Sequence, residues 1–215
     1  MEKLTSEALG RVSLQQYKTM RKRPLYVVLD NVRSLNNVGS VFRSCDAFAV
    51  RKLYLCGITA RPPHRDIQRT ALGATESVEW EYFENTLDAV KTLQEQGVEV
   101  WAVEQVQGST WLDAFAPQPE KAYALVFGNE VFGVDQAVVD ACQGALEIPQ
   151  EGTKHSLNIA VCVGAVLWDV FAKMRRINLQ TPDAHGLYAK FGFKPVAHPE
   201  EMMERLSSYE EAYQS

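Results

Sequence analysis

Three polar, glycine-containing segments carry the residue types in this 215-residue sequence that could do chemistry. The first reads LNNVGSVFRS over residues 35–44. Asn36 or Asn37 suits a helix cap, and Gly39 in the first turn would let a ligand or another chain come close. Arg43 follows Asn36 by two helical turns, so the two share a face from which an arginine could hold a phosphate. Taken alone, the segment is explained more simply by a capped helix with a surface arginine.

The second segment, FGNEVFGVD, places Asn129 and Glu130 between Gly128 and Gly133. Glycines at these positions permit a tight turn beside a ligand of adenosine size. The Glu130 carboxylate could meet a cation, or it could cap the helix that follows.

The third segment reads IPQEGTKHSLNIA over residues 148–160. Ser156 and Asn158 could cap the long apolar helix that follows, or they could hydrogen-bond a ligand. Pro149 and Gly152 shape the approach to these side chains. Each of the three segments comes directly after a predicted strand, and ligands of open α/β sheets collect outside the carboxyl ends of the strands. Together the segments predict one site.

The elements that must position these segments follow from the hydrophobic pattern. The apolar runs predict strands at 25–32, 52–57, 99–105, 122–128 and 145–149, and the periodicity predicts helices at 38–49, 85–96, 134–142 and 156–175. Prolines predict loops at 61–66 and 116–121. The alternation predicts an α/β fold with a mostly parallel sheet and helices on both faces.

Composition and motifs exclude several other classes of protein. The four cysteines form no CxxC pair and the four histidines show no ligand spacing, so no metal site is predicted. P-loop, GxGxxG and GxSxG signatures are absent. The sequence contains no run of 18 apolar residues and no signal-peptide pattern, so we expect a soluble cytoplasmic protein.

Charge and composition divide the chain into three parts: an arm over residues 1–24, a core domain over 25–176 and an acidic extension over 177–215. The arm, predicted to be an amphipathic helix over 3–22, holds six lysines and arginines against two acids, whereas the whole chain has a net charge of −5. Such an arm could contact phosphates, although a solvated helix face also explains it.

In their order and spacing, the three segments resemble the motifs of the SpoU (TrmH-type) family of SPOUT RNA methyltransferases. The asparagine–glycine–arginine pattern ends at Arg43, the glycine–acid–glycine pattern spans 128–133, and Ile148-Pro149 precedes Gly152 and Ser156-Leu157-Asn158. The resemblance covers about residues 24–175, and RTALGA at 69–74 resembles the middle loop of the family.

The resemblance implies a SPOUT-type fold with a C-terminal trefoil knot that binds S-adenosylmethionine. It also implies a homodimer in which each active site takes its arginine, here Arg43, from the partner chain. The residues expected to hold the cofactor are Val126, Gly128, Asn129, Gly133, Ile148, Pro149 and Leu157.

The implied activity is methylation of a ribose 2′-OH in tRNA or rRNA, without a metal. Arg43 is expected to hold the nucleotide phosphate and to help activate the hydroxyl, and the remaining catalytic residues expected to orient the reactants are Asn36, Glu130, Ser156 and Asn158. His155 is a conceivable base, but the family does not place its base there. The expected RNA contacts are Arg21, Lys22, Arg23, Arg65 and Arg69.

Two alternatives remain at this point: a non-catalytic RNA-binding or assembly module with the same fold, and a SPOUT enzyme that methylates an RNA base. The Ser-Leu-Asn motif and Arg43 favour the ribose. The arm is too short to be the separate N-terminal RNA-binding domain of many relatives, so we expect salt-dependent contacts of low sequence specificity. Residues 185–205 resemble the closing segment of GNAT acetyltransferases, but nothing upstream resembles their acetyl-CoA-binding loop, and no acetylation is expected.

Overall fold

A parallel sheet carries all three polar segments at the carboxyl ends of its strands. The computed structural model describes residues 3–5, 8, 10–118, 120–154 and 156–175. Its strands are β1 (Arg23–Asp30), β2 (Val50–Cys56), β3 (Trp80–Phe83), β4 (Glu99–Val103), β5 (Thr110–Trp111), β6 (Tyr123–Phe127) and β7 (Gly144–Glu147). They form one seven-stranded sheet in the order β3-β2-β1-β6-β4-β7-β5, and every pairing within it is parallel.

Helices cover both faces of this sheet. They are α1 (Leu14–Thr19), α2 (Leu35–Ala47), α3 (Arg65–Ala71), α4 (Ala74–Ser77), α5 (Thr86–Glu95), α6 (Gln136–Ala141) and α7 (Ile159–Arg175). Successive side chains of a strand point to opposite faces, and β1 follows this rule. Its Val27 and Leu29 join the core that α2, α3 and α7 cover, whereas Val28 joins the core under α5 and α6. The apolar run of β1 is therefore continuous because both of its faces are buried.

The strand register brings the ends of the central strands to one level. Leu29 of β1 pairs with Phe127 of β6, Phe127 pairs with Val103 of β4, and Val103 pairs with Leu146 of β7. The three polar segments come after β1, β6 and β7, so the chain enters all three at the same end of the sheet. The end of β4 lies between the second segment and the third.

The predicted fold class is confirmed, and the five predicted strands are present with no end shifted by more than two residues. Four short elements were missed. β3 and β5 are short strands at the sheet edges, where half-exposed side chains give no continuous apolar run. α3 and α4 follow the two prolines of the predicted loop at 61–66. Arg65 and Arg69 therefore lie on a helix. Instead of one loop, residues 69–74 form the end of α3, a turn and the first residue of α4.

The helix predicted over residues 3–22 is wrong in its extent. Among the described residues of the arm, only Leu14–Thr19 is helical. Gly10 has a φ of +58°, which interrupts a helix, and the helix starts only after Ser13, whose side chain and that of Gln16 form a capping box. The apolar stripe further upstream packs against little, since Leu4 remains 69% exposed.

Some predictions lie outside the described residues or remain untested. His155 and the extension 177–215 are not described, and the trefoil knot remains a prediction. Among the described residues, no helix is both long enough and apolar enough to span a membrane.

Candidate active site

A chain of hydrogen bonds joins the three polar segments. Nδ2 of Asn158 donates to Oδ1 of Asn37 at 3.2 Å, and Nδ2 of Asn37 donates to Oε1 of Glu130 at 3.1 Å. The same Glu130 carboxylate accepts the backbone N–H of Arg33 at 2.9 Å and that of Ser34 at 3.0 Å. Residues far apart in the sequence are therefore held in one network at the carboxyl ends of β1, β6 and β7.

The network keeps Glu130 ionised. Partial burial opposes the charged form, but the hydrogen bonds from Arg33, Ser34 and Asn37 outweigh it and hold the pKa of the Glu130 carboxyl below its usual value. The carboxylate thus fixes the start of α2 against the second segment instead of capping the helix that follows its own loop. That helix, α6, is capped by Asp135, whose side chain accepts from the N–H of Ala137.

Asn37 belongs to this network, and its neighbour Asn36 does not. Consecutive residues of a helix are about 100° apart, so the two amides face different surroundings. Oδ1 of Asn36 accepts a hydrogen bond from Nη2 of Arg69 on α3 at 3.0 Å, and the backbone oxygen of Asn36 accepts from Oγ1 of Thr70. The sequence contained both asparagines but gave no measure of how α2 rotates on the sheet.

The loop of the second segment is closed by its own backbone and by Asn129. Asn129 and Gly133 exchange two backbone hydrogen bonds at 2.9 Å. The Asn129 side chain accepts from the N–H groups of Val131 and Phe132 and donates to the backbone oxygen of Asn31 at 2.7 Å. A Cβ on Gly128 would overlap the backbone of Gly133, so this glycine is required for the turn itself.

Glu104, at the end of β4, is a site residue that the sequence analysis missed. Its Oε2 accepts the N–H of Val134 at 2.8 Å and its Oε1 accepts that of Gln105 at 2.9 Å. A Cβ on Gly133 would overlap this carboxylate, and Gly133 also has a φ of +70°. The only sequence signal was an acid near the end of the strand predicted at 99–105.

A cavity of about 510 Å³ opens between these strand ends, within the range of small-molecule sites. Its apolar wall includes Phe127, Leu146 and Ile148. The predicted site residues on its wall are Gly128, Asn129, Glu130, Gly133, Ile148, Ser156, Leu157 and Asn158, and Glu104 joins them.

Four predicted site residues lie away from this wall. Val126 points to the opposite face of the sheet and packs in the core under α5 and α6. Pro149 is exposed beside the cavity, and Asn36 faces α3. Arg43 is exposed on α2.

Comparisons with known proteins agree with this geometry. A model of the SpoU rRNA Methylase family matches residues 24–168. This chain belongs to the SpoU rRNA methylase family. It is 30% identical over 164 residues to RlmB of Vibrio parahaemolyticus, a 23S rRNA (guanosine-2'-O-)-methyltransferase, and the match covers 76% of this chain and 65% of RlmB. The chain thus spans about two thirds of the length of such relatives.

Two solved structures share the SpoU fold with this chain. The A. aeolicus TrmH/SpoU tRNA modifying enzyme superimposes with a TM-score of 0.67 at 23% identity, covering 83% of this chain and 92% of that one. An AdoMet-bound rRNA methyltransferase from Sinorhizobium meliloti superimposes with a TM-score of 0.65 at 27% identity, covering 74% of this chain and 59% of that one.

The Arg43 side chain of this SpoU chain has no hydrogen bond or ion pair to any residue that the structure describes. It shares an exposed face of α2 with Asn36, as the seven-residue spacing predicted. The guanidinium is therefore available to a ligand or to a second chain, and it takes no part in the cavity of its own chain.

The basic residues predicted to contact RNA have different surroundings. Nζ of Lys22 lies over the Tyr17 ring, 2.8 Å from its centroid, and the Arg23 guanidinium lies over the Phe171 ring. Arg69 is held by Asn36. Arg21 and Arg65 are exposed, so of the five they are the most accessible to a phosphate.

Within the described residues of this SpoU chain, no group of three or more histidine, cysteine, aspartate or glutamate side chains is arranged to hold a metal ion.

Proposed function

We propose that this chain is an S-adenosylmethionine-dependent methyltransferase that methylates a ribose 2′-OH of rRNA or tRNA. The observation that carries the proposal is the hydrogen-bonded chain from Asn158 through Asn37 to Glu130 at the mouth of the cavity. RlmB of Vibrio parahaemolyticus, a related member of the family, is named for this chemistry on rRNA.

The cavity suits the cofactor. Its apolar wall of Phe127, Leu146 and Ile148 fits an adenine ring, and the carboxylate of Glu104 suits a positively charged group. The side chains of Ser156 and Asn158 offer polar contacts at the other end. When bound, S-adenosylmethionine supplies a methyl group on a positively charged sulfur.

The residues of the network position the reactants. Glu130 holds Asn37, and Asn37 holds Asn158 directly before the first turn of α7, where Oδ1 of Asn158 accepts from the N–H of Ala160 at 2.9 Å. A network fixed from three segments keeps the cavity mouth in one geometry, which reduces the entropic cost of aligning a hydroxyl with a methyl group.

Arg43 serves the cavity of a second copy of the chain in this proposal. It has no partner among the described residues of its own chain, and α2 packs beside α7, whose outer face is apolar. On that face Val161 and Trp168 are each 58% exposed, and Ala165 lies between them. An apolar stripe next to an unpaired arginine supports a homodimer formed through α2 and α7.

An arginine suits the RNA phosphate and not the role of base. An arginine side chain offers a planar fork of N–H donors that matches a phosphate, and it has no acceptor atom. Arg43 of one protomer would therefore hold the target nucleotide over the cavity of its partner.

Further RNA contacts come from the opposite end of the sheet. At the amino ends of β1 and β2, a cleft of about 500 Å³ is lined by Lys18, Arg21, Lys22 and Arg51, together with Glu76 and Glu79. Positive side chains around a groove support phosphate binding that weakens as salt rises. Arg51 adds to the predicted set, and Arg65 on α3 remains a member of it.

A mixed-dimer experiment tests the shared site. Protein carrying Arg43→Ala and protein carrying Asn158→Ala are each expected to transfer less methyl from labelled S-adenosylmethionine to RNA. After the two are mixed and allowed to exchange subunits, activity is expected to recover to about a quarter to a half of wild type. Recovery fails if Arg43 acts within its own chain, because each heterodimer then holds two defective sites.

A further inference from the structure

We propose that Glu104 makes the cavity prefer S-adenosylmethionine, whose sulfur is positively charged, to the product S-adenosylhomocysteine, whose sulfur is neutral. The inference rests on the proposed function and adds a residue that acts on cofactor exchange. Methyl transfer removes the positive charge of the sulfonium, so a negative charge beside that atom favours the substrate form over the product form.

Glu104 is central in the cavity because of the strand order. It follows β4, which lies between β6 and β7, and its backbone N–H donates to the oxygen of Leu146 at 3.0 Å. The side chain is consequently flanked by the loop of the second segment on one side and by the third segment on the other.

The charge of Glu104 is not neutralised within the described part of the chain. Its two oxygens accept hydrogen bonds from the neutral backbone groups of Val134 and Gln105, and no lysine or arginine pairs with it. The described wall of the cavity contains three acids, Glu104, Glu130 and Glu147, and no basic residue.

The other two acids are turned to other partners. Glu130 binds the start of α2 through Arg33, Ser34 and Asn37. Glu147 accepts a hydrogen bond from Oγ of Ser109 at 2.6 Å. Among the described residues, the partners of Glu104 are the backbone groups of Gln105 at the strand end and of Val134 after the loop of the second segment.

Cys162 lines the same cavity as Glu104 and lies within reach of its charge. Its thiol lines the same wall, and its pKa is raised to about 11, first by burial and then by the negative charge of Glu104. A group that disfavours a nearby thiolate favours a nearby cation by the same Coulomb interaction.

Calorimetric titration with three ligands tests the inference. S-adenosylmethionine, sinefungin and S-adenosylhomocysteine are titrated into the wild-type protein and into Glu104→Gln, which keeps the shape and one acceptor oxygen but removes the charge. Sinefungin carries an ammonium group at the position of the sulfonium methyl. Glu95→Gln, which removes an equal charge at the exposed end of α5, is the matched control.

The expected result is a selective loss. Glu104→Gln lowers the affinity for S-adenosylmethionine and sinefungin by about three- to tenfold and changes the affinity for S-adenosylhomocysteine by less than about twofold. An equal loss of affinity for all three ligands would show that Glu104 acts only by holding the loop, and it would overturn the inference. If the wild-type protein binds none of the three, the proposed function fails with it.

A second measurement covers the case in which Glu104→Gln does not fold. In titrations of the wild-type protein, a higher ionic strength screens the attraction between the Glu104 carboxylate and the sulfonium. The affinity for S-adenosylmethionine should therefore fall more than the affinity for S-adenosylhomocysteine. Identical salt dependence for the two ligands contradicts the inference.

Discussion

Asn158 donates a hydrogen bond to Asn37, 121 positions earlier in the chain, and this contact joins the start of α7 to the start of α2. Asn37 in turn donates to Glu130, so one amide side chain connects all three polar segments. The amide suits this place because its oxygen accepts from Asn158 while its nitrogen donates to the carboxylate.

Replacing Asn37 should impair methyl transfer more than replacing its neighbour. Asn37→Ala leaves Glu130 and Asn158 without their shared partner, and we expect a loss of about ten- to hundredfold in transfer rate. Asn36→Ala removes only the contact to Arg69 and should cost less. Single-turnover rates for both variants check this. A larger loss of transfer rate in Asn36→Ala than in Asn37→Ala would show that the network role belongs to Asn36.

The contribution of Glu130 to stability should depend on pH. Because the pKa of Glu130 is held below its usual value, the folded state binds this proton less readily than the unfolded state. The stabilisation is fully present above the unfolded pKa of about 4.3 and is lost as the pH falls through the lower folded value. Since solvent reaches most of this carboxylate and screens its charge, the contribution should stay under about 1 kcal/mol.

Urea unfolding of the wild type and of Glu130→Gln over a series of pH values measures this contribution. The difference in unfolding free energy between the two should be constant near neutral pH and shrink toward zero in acid. Glu95→Gln serves as the control for removing an exposed charge from a helix. A difference that grows in acid would contradict the assignment.

Cofactor binding should protect one of two similar cysteines from alkylation. Burial raises the pKa of Cys142 to about 11, and burial with the charge of Glu104 does the same for Cys162. Only Cys162 lines the cavity. At alkaline pH, S-adenosylmethionine at about ten times its Kd should slow labelling of Cys162 about tenfold and leave Cys142 unchanged, as measured by peptide mass spectrometry. Equal protection of both thiols would argue against binding in this cavity.

Gly39 should be required for packing within the chain. A Cβ at this position would overlap Oγ1 of Thr70 and the backbone oxygen of Ile67, so α3 of the same chain occupies the space that the sequence suggested for a ligand. Gly39→Ala should lower the unfolding free energy by about 1–3 kcal/mol.

Gly164→Ala in α7 is the matched control. Within the described part of the chain, a Cβ there meets only Oγ of Ser44 at 3.8 Å, an ordinary contact. Alanine also favours a helix over glycine by about 1 kcal/mol, so this variant should be neutral or more stable. Thermal unfolding of both variants checks the pair, and equal stability of the two would contradict the packing of α2 on α3.

The fold was largely predictable because its central strands carry local signals. β1 and β6 are continuous apolar runs, and the segments after them contain the glycines and polar residues that chemistry requires. The predicted Glu130, Ser156 and Asn158 do lie together at one cavity.

What the sequence could not supply depends on rotation and on long-range packing. Asn36 and Asn37 differ only in how α2 turns on the sheet, and Glu104 gains its place from the strand order. Lys22 and Arg23 looked like free cations of a basic arm, but they lie over the Tyr17 and Phe171 rings. Tyr17 belongs to the arm and Phe171 to α7, and no pattern in the sequence predicts either contact.

The position of the transferred methyl group tests the central claim most directly. RNA is methylated with S-adenosylmethionine labelled in the methyl group and is then hydrolysed completely in alkali. Alkaline cleavage requires a free 2′-OH, so a ribose methyl leaves the label in dinucleotides that resist cleavage. We predict labelled dinucleotides with the wild-type protein and a strongly reduced yield with Asn158→Ala. Label found only in mononucleotides would place the methyl on a base and contradict the account.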